Sequence, residues 1–320
     1  MLTVFGSHTS NYIQTSIPNT DCLTVDQSRD KFNRIMGGIP ENRRHLLYID
    51  KSRWKQVAPV PKVDPFIFDN EPGYHNAMQK VLNFIGNHLG QKLNALKLRD
   101  LHDLCVDNVF RDPSKKEPFL KGYRDGWGYE FCIKDVPQAT LDELHQEKVL
   151  IVPRVNQTLG QEILLYHIQI ELLFLSTYVF EDEMGKIVSN FMEQEQEKAV
   201  HAKIDQLFND YYQSIFSLST SSHVCTNSPE TTSDKKLVAI AKLCRAINMF
   251  HVFPDGNGRT VLWAMLPKLL MENDFCPAIL ERPSRFASGY QSINEMVEQL
   301  KIGMKNFERV VEQFKNKDAS

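Results

Sequence analysis

The stretch His251-Val252-Phe253-Pro254-Asp255-Gly256-Asn257-Gly258-Arg259 gathers an imidazole, a carboxylate, two glycines, an amide and a guanidinium into nine residues. Each type has a use beside a phosphate. Gly256 and Gly258 let the backbone turn tightly and bring N–H groups toward an anion. A helix that starts at this point aims its free amides and the positive end of its dipole the same way. Arg259 can bind a phosphate through two parallel N–H bonds. Asp255 suits a magnesium ion, a hard cation that prefers carboxylate oxygen. Asn257 can donate from its amide or cap the helix. Histidine ordinarily titrates near neutrality, so His251 can take a proton from an incoming hydroxyl. Phe253 reads as a packing anchor.

Simpler readings fail on spacing. A single His at a helix end is usually structural, and Asp-Gly-Asn-Gly is usually a plain turn, but the ordered run is more specific than either. With Asp255 at the first position of a calcium loop, the required Gly falls on Thr260 and the required Glu on Leu266. No Lys follows the glycines as a Walker A loop demands. Elsewhere, Cys132 carries no local signature of a thiol enzyme. His201 with Glu193, Glu195 and Glu197 reads as a solvated helix face rather than a metal cluster.

The elements around the motif read as helices. Leu237, Ile240, Ala241, Cys244 and Ile247 form one apolar face that leads to His251, with Thr232-Ser233-Asp234 supplying N-cap residues. A second helix runs from Asn257 through Val261, Leu262, Met265, Leu266, Leu269 and Leu270, and Pro267 should kink it or end its first part. Met78, Val81, Leu82, Ile85, Leu89, Leu93 and Leu96 mark helix between His75 and Phe110, where Gly86 and Gly90 bend it or mark close packing. Helical stretches are also expected over Gln161 to Leu175, Asn190 to Phe216 and Ile293 to Phe314. Val149 to Val152 is short and β-branched, and Pro153 limits it to an edge strand or connector. Gly122 to Tyr129 reads as a loop or hairpin. Thr177-Tyr178-Val179-Phe180 and Lys186-Ile187-Val188 flank Gly185 as a small β-hairpin, with one long broken helix as the alternative. Residues 1 to about 75 show little periodicity, and an irregular layer with one short helix near Gln27 to Met36 is expected there. The class is mainly α.

The bulk composition is that of an ordinary globular chain, 42% hydrophobic and 24% charged, with a formal net charge of −3 that gives no electrostatic case for nucleic acid or an anionic membrane. The six cysteines form no CxxC pair and are scattered like reduced thiols of a cytosolic protein. The N-terminus lacks the charged start and apolar run of a signal peptide. No segment reaches the roughly 18 uninterrupted apolar residues of a membrane span. A cytoplasmic protein is expected, with export into a host cell by a route without a cleaved signal left open.

The run from His251 to Arg259 resembles the signature of the Fic (filamentation induced by cAMP) family, His-x-Phe-x-Asp/Glu-Gly-Asn-Gly-Arg-x-x-Arg. The strong match extends from Asp234 to Leu280. The resemblance implies a Fic-type helical core with a β-hairpin flap at residues 121–320. Residues 1–120 carry no family signature and form an N-terminal extension of unassigned role, target recognition being one candidate. The resemblance implies His251 as the general base acting on a Ser, Thr or Tyr hydroxyl of a protein substrate. It further implies Asp255 as the Mg²⁺ ligand, Gly256, Asn257 and Gly258 as the anion hole, and Arg259 on the nucleotide phosphates. Tyr178, Val179, Phe180, Lys186 and Ile187 would be the flap that aligns the target as an added strand. The implied reaction is transfer of AMP from ATP to the hydroxyl, with control by a regulatory partner protein or by delivery.

One departure bears on the donor. The second Arg of the signature falls on Leu262, which removes a contact to the terminal phosphates. Another basic residue then substitutes, or the donor is UTP, CDP-choline or a γ-phosphoryl source, or the domain binds without turnover.

Overall fold

The structure is a computed structural model of the chain. It describes residues 23–49, 71–112, 117–123, 129–132, 137–146, 150–156, 161–167, 183–220, 231–286 and 291–318.

The fold is mainly helical. Helix α1 (Val25–Met36) opens with a reciprocal cap: Gln27 N–H donates to Thr24 Oγ1 at 3.2 Å and Thr24 N–H donates to Gln27 Oε1 at 2.9 Å. A 3₁₀ turn follows at Glu41–Tyr48. Phe32, Met36, Ile39, Leu47, Tyr48 and Ile49 are all buried in the main core. The short helix expected near Gln27 to Met36 is α1, whose apolar stripe is buried. The irregular layer expected around it is, over residues 37–49, a 3₁₀ turn with short connectors that belong to the core.

Helix α2 (Tyr74–His88) buries Ala77, Met78, Val81, Leu82 and Ile85, and α3 (Ala95–Cys105) buries Leu98, Leu101 and Cys105. The two glycines expected to mark close packing do so. A Cβ on Gly86 would stand 3.3 Å from the Phe32 ring of α1, and one on Gly90 would meet Leu23 at 2.4 Å. Strands β1 (Phe110–Asp112) and β2 (Glu117–Pro118) then form a short antiparallel ladder.

A three-stranded antiparallel sheet has the order β3 (Tyr129–Cys132), β5 (Gln161–His167), β4 (Leu150–Asn156). This corrects the helix expected over Gln161 to Leu175: its first seven residues are the central strand. A short apolar run fits a buried strand as well as a helix, and pairing on both edges decides for the strand. Strand β4 passes through Pro153 as an edge strand, where a missing N–H is tolerated. Helix α4 (Gln138–Gln146) lies between β3 and β4 in sequence.

The long helix α5 (Glu183–Thr220) corrects the second arm of the expected flap. Lys186, Ile187 and Val188 are helical. Gly185 costs a helix about 1 kcal/mol relative to Ala, and the run of good helix formers from Glu193 to Ala199 continues the same helix beyond it. Tyr178, Val179 and Phe180 lie outside the described residues.

Helix α6 (Thr232–Phe250) is capped by Thr231 in a reciprocal box with Asp234. It buries Leu237, Ile240, Ala241, Cys244 and Ile247, the face expected from spacing. Three consecutive helical pieces, Asn257–Arg259, the π-helical Thr260–Met265 and Leu266–Glu272, make up α7. Pro267 has no N–H and its ring crowds the carbonyl four residues back. The wider π turn immediately ahead of it lets the helix continue rather than end. The chain closes with α8 (Pro283–Phe286) and α9 (Ile293–Asp318). One core cluster runs from Phe32 to Val310, so residues on both sides of position 120 share it.

Candidate functional site

The motif loop joins the end of α6 to the start of α7. Helix α6 ends at His251, whose backbone is left-handed (φ 51°, ψ 46°) and whose N–H donates to Ile247 O at 3.3 Å. A non-glycine residue in this conformation is uncommon and sits at a sharp reversal of the chain. Val252 and Phe253 then turn inward and are buried.

Asn257 closes the loop. Its Oδ1 accepts the Phe253 N–H at 3.0 Å and its Nδ2 donates to Phe253 O at 2.8 Å. The side chain is 4% exposed. The side-chain amide is thus engaged in holding the loop, and the group Asn257 can present to an anion is its backbone N–H.

Gly256 is left-handed (φ 67°), and a Cβ there would stand 2.8 Å from Val106 Cγ1. Both facts call for glycine. Thr260 N–H and Oγ1–H both donate to Gly256 O, at 2.9 and 3.0 Å, and fix the first turn of α7. The N–H groups of the first turn have no acceptor within the helix. A Cβ added to Gly258 would meet nothing within 4 Å among the described residues. Open space therefore lies beside the first turn of α7, where a helix accepts an anion.

The floor of the loop is His102 of α3, fully buried. Its ring stacks on Phe253 with centroids 3.9 Å apart and planes at 8°. Tyr123 also stacks on Phe253, at 5.3 Å and 12°, and its hydroxyl donates to Ala95 O at 2.9 Å. His102 Nε2 lies 2.9 Å from Asp255 O, and Nδ1 lies 3.1 Å from Asp103 Oδ1, which also accepts the Gly122 N–H at 3.0 Å. Burial pushes the His102 pKa down to about 4, against the pull of the Asp103 carboxylate. Both ring nitrogens face acceptors, the Asp103 carboxylate and the Asp255 carbonyl, so a neutral ring donates to one of the two.

The wall comes from residues 71–119. Gly73 at φ 89° starts α2, and a Cβ there would fall 2.0 Å from Asn108 O. Phe110 N–H donates to Pro72 O at 3.1 Å, and Phe119 N–H donates to Val109 O at 3.0 Å. These contacts bring Glu71, Tyr74, Arg111 and Phe119 to the motif. Arg259 pairs with Glu71, and its Cζ stands 4.7 Å from both the Tyr74 and Phe119 ring centroids. Asp255 pairs with Arg111.

The motif loop offers a cation one carboxylate among the described residues, that of Asp255. Among the described residues no group of three or more His, Cys, Asp or Glu could hold a metal ion. A magnesium ion fits here only in the manner that suits Mg²⁺, on one carboxylate with the remaining oxygens from phosphate and water. Asp255 would hold it, and it would neutralise charge on the phosphates. The second signature position, Leu262, is 8% exposed and belongs to the core, so nothing at that position of α7 reaches a phosphate. His201 contacts Glu197 at 3.6 Å and the edge of Tyr123, a structural arrangement.

His102, Glu71, Arg111, Phe119 and Tyr123 carry no motif. One signal was present for His102, a polar residue on the apolar stripe of α3 between Leu98 and Cys105. The others are joined to the loop only by long-range contacts.

No family model matches the chain. Over 86 residues it is 36% identical to phosphocholine transferase AnkX of Legionella pneumophila subsp. pneumophila (strain Philadelphia 1). The match covers 27% of this chain and 9% of that protein, so the chain spans a small part of its relative's length. Among the described residues no helix is long and apolar enough to cross a membrane.

Proposed function

We propose that the chain is a Fic-type transferase that moves a phosphate-linked group from a nucleotide donor to a hydroxyl of a target protein. The observation that carries this reading is the open first turn of α7 at Gly258, bounded by Arg259 and by a loop that Asn257 and His102 hold in place. In this reading the donor phosphates sit on the N–H groups of α7 with Arg259 beside them. His251 removes the proton of a Ser, Thr or Tyr hydroxyl. The hydroxyl oxygen then attacks phosphorus, and the leaving phosphate departs with its bonding pair.

Two donors fit the loop. ATP would give the AMP-protein and pyrophosphate; CDP-choline would give the phosphocholine-protein and CMP. Two observations favour the second. Leu262 provides no contact for a terminal third phosphate, and the similar protein is named as a phosphocholine transferase. Glu71, Tyr74, Arg111 and Phe119 act in this reading as a wall of the donor site.

The test incubates the full chain and Mg²⁺ with candidate target lysates, using α-labelled ATP in one arm and CDP-choline labelled on choline in the other. Intact-mass spectrometry of a labelled target names the group. His251→Ala should lower the rate by roughly 10²–10⁴. Equal labelling by His251→Ala and the native chain in both arms would sink the reading.

A further inference from the structure

Phe119 carries two guanidinium groups. Arg259 Cζ stands 4.7 Å from its centroid and Arg111 Cζ stands 5.4 Å from it. Two like charges on one ring repel unless each is neutralised. Glu71 neutralises Arg259, and Asp255 neutralises Arg111. The result is two cations, each with its own carboxylate, gathered at a single aromatic ring, one of them the residue that follows Gly258 in the chain.

The two arginines are not equivalent. Arg259 is largely enclosed between Tyr74 and Phe119, as a residue fixed in place would be. Arg111 projects from the short β1–β2 ladder with 47% of its side chain exposed. Its partner Asp255 is less exposed, at 24%. The position of Arg111 points to a ligand: its partner is the motif carboxylate, and its guanidinium shares a ring with the motif arginine. The helix position where a second motif cation would stand is occupied by buried Leu262.

We infer that Arg111 is a donor-binding residue, the second cation of a diphosphate site whose first is Arg259. This rests on the transfer reading above and names a residue that the motif does not contain. In the resting chain Asp255 and Glu71 hold the two guanidiniums beside the opening. When a diphosphate arrives, its oxygens replace the carboxylates as acceptors. Arg111 turns from Asp255 to the phosphate, which frees Asp255. The planar fork of Arg suits this exchange because it binds carboxylate and phosphate with the same two-point geometry. The ligand class is a nucleoside diphosphate ester or, in its simplest form, pyrophosphate.

Calorimetric titration of the full chain with inorganic pyrophosphate, CDP-choline and ATP tests this. Arg111→Ala should weaken the tightest of the three by about tenfold to a hundredfold, the loss expected for a charge-assisted contact. Arg111→Lys keeps the charge and loses the fork, so it should fall between. The slope of log Kd against log salt should flatten in Arg111→Ala, a change that a merely structural side chain would not cause. Arg111→Gln serves if the alanine variant folds poorly. Unchanged binding in Arg111→Ala, with binding lost in Arg259→Ala, overturns the assignment of Arg111 and leaves the transfer reading standing. A native chain that binds none of the three probes overturns both.

Discussion

The imidazole of His102 lies flat under the ring of Phe253, 3.9 Å between centroids, while its Nε2 reaches the Asp255 carbonyl at 2.9 Å. One residue of α3 therefore grips the motif loop at two points, on either side of Pro254. His102→Leu keeps apolar volume but removes the ring's hydrogen bond to whichever of its two acceptors it serves. The expected cost is about 1–3 kcal/mol of stability, read from urea unfolding. His102→Gln, which can still donate, should recover part of it. A leucine variant as stable as the native chain would show that the acceptor finds another donor.

Asn257 acts on the same loop from within. Asn257→Ala removes both hydrogen bonds to Phe253 and leaves two buried backbone groups unpaired. About 2–4 kcal/mol should be lost, from roughly 1 to 2 per group. Faster amide exchange at Phe253 is the specific sign, because that N–H would then lack its acceptor. Exchange unchanged at Phe253 would contradict the assigned role.

These two residues show what the sequence made legible and what it did not. The spacing of Leu237, Ile240, Ala241, Cys244 and Ile247 placed α6, and the glycines placed the start of α7, because those signals are local. The sequence left the Asn257 amide free to donate or to cap, since an amide's partner cannot be known until the loop closes on it. His102, Arg111 and Glu71 reach the site through contacts spanning more than a hundred residues, and no periodicity reports such contacts. The central strand Gln161–His167 was hidden for a related reason: a short apolar run does not say with which backbone it pairs.

Acid should weaken the fold in a defined window. Burial pushes the imidazoles of His45 and His102 down to about 4. Once unfolded, each takes up a proton near its ordinary value of about 6.5. Between those two values the unfolded chain binds more protons than the native one. Stability is thus insensitive to these groups above pH 6.5, falls as pH drops toward 4, and levels off below that. The slope is at most about 1.4 kcal/mol per pH unit for each group. Urea unfolding across this range checks it. His45→Gln should show a shallower decline than the native chain, and identical slopes would remove His45 as a cause.

The two glycines of the loop should separate folding from binding. Gly256 is left-handed, and a Cβ there would meet Val106 at 2.8 Å, so Gly256→Ala carries both backbone strain and a clash. A loss of about 1–3 kcal/mol follows, seen as a lower Tm. Gly258 stands in the first turn of α7 with open space around its added Cβ, and its φ is not positive. Gly258→Ala should leave Tm unchanged or raise it slightly, because Ala favours a helix over Gly by up to about 1 kcal/mol. Its methyl group would nonetheless occupy the space offered to a phosphate. Pyrophosphate affinity should fall in a protein that is no less stable. Calorimetry and thermal unfolding on the two variants give the comparison. If Gly258→Ala binds pyrophosphate as tightly as the native chain, the phosphate does not sit beside the first turn of α7.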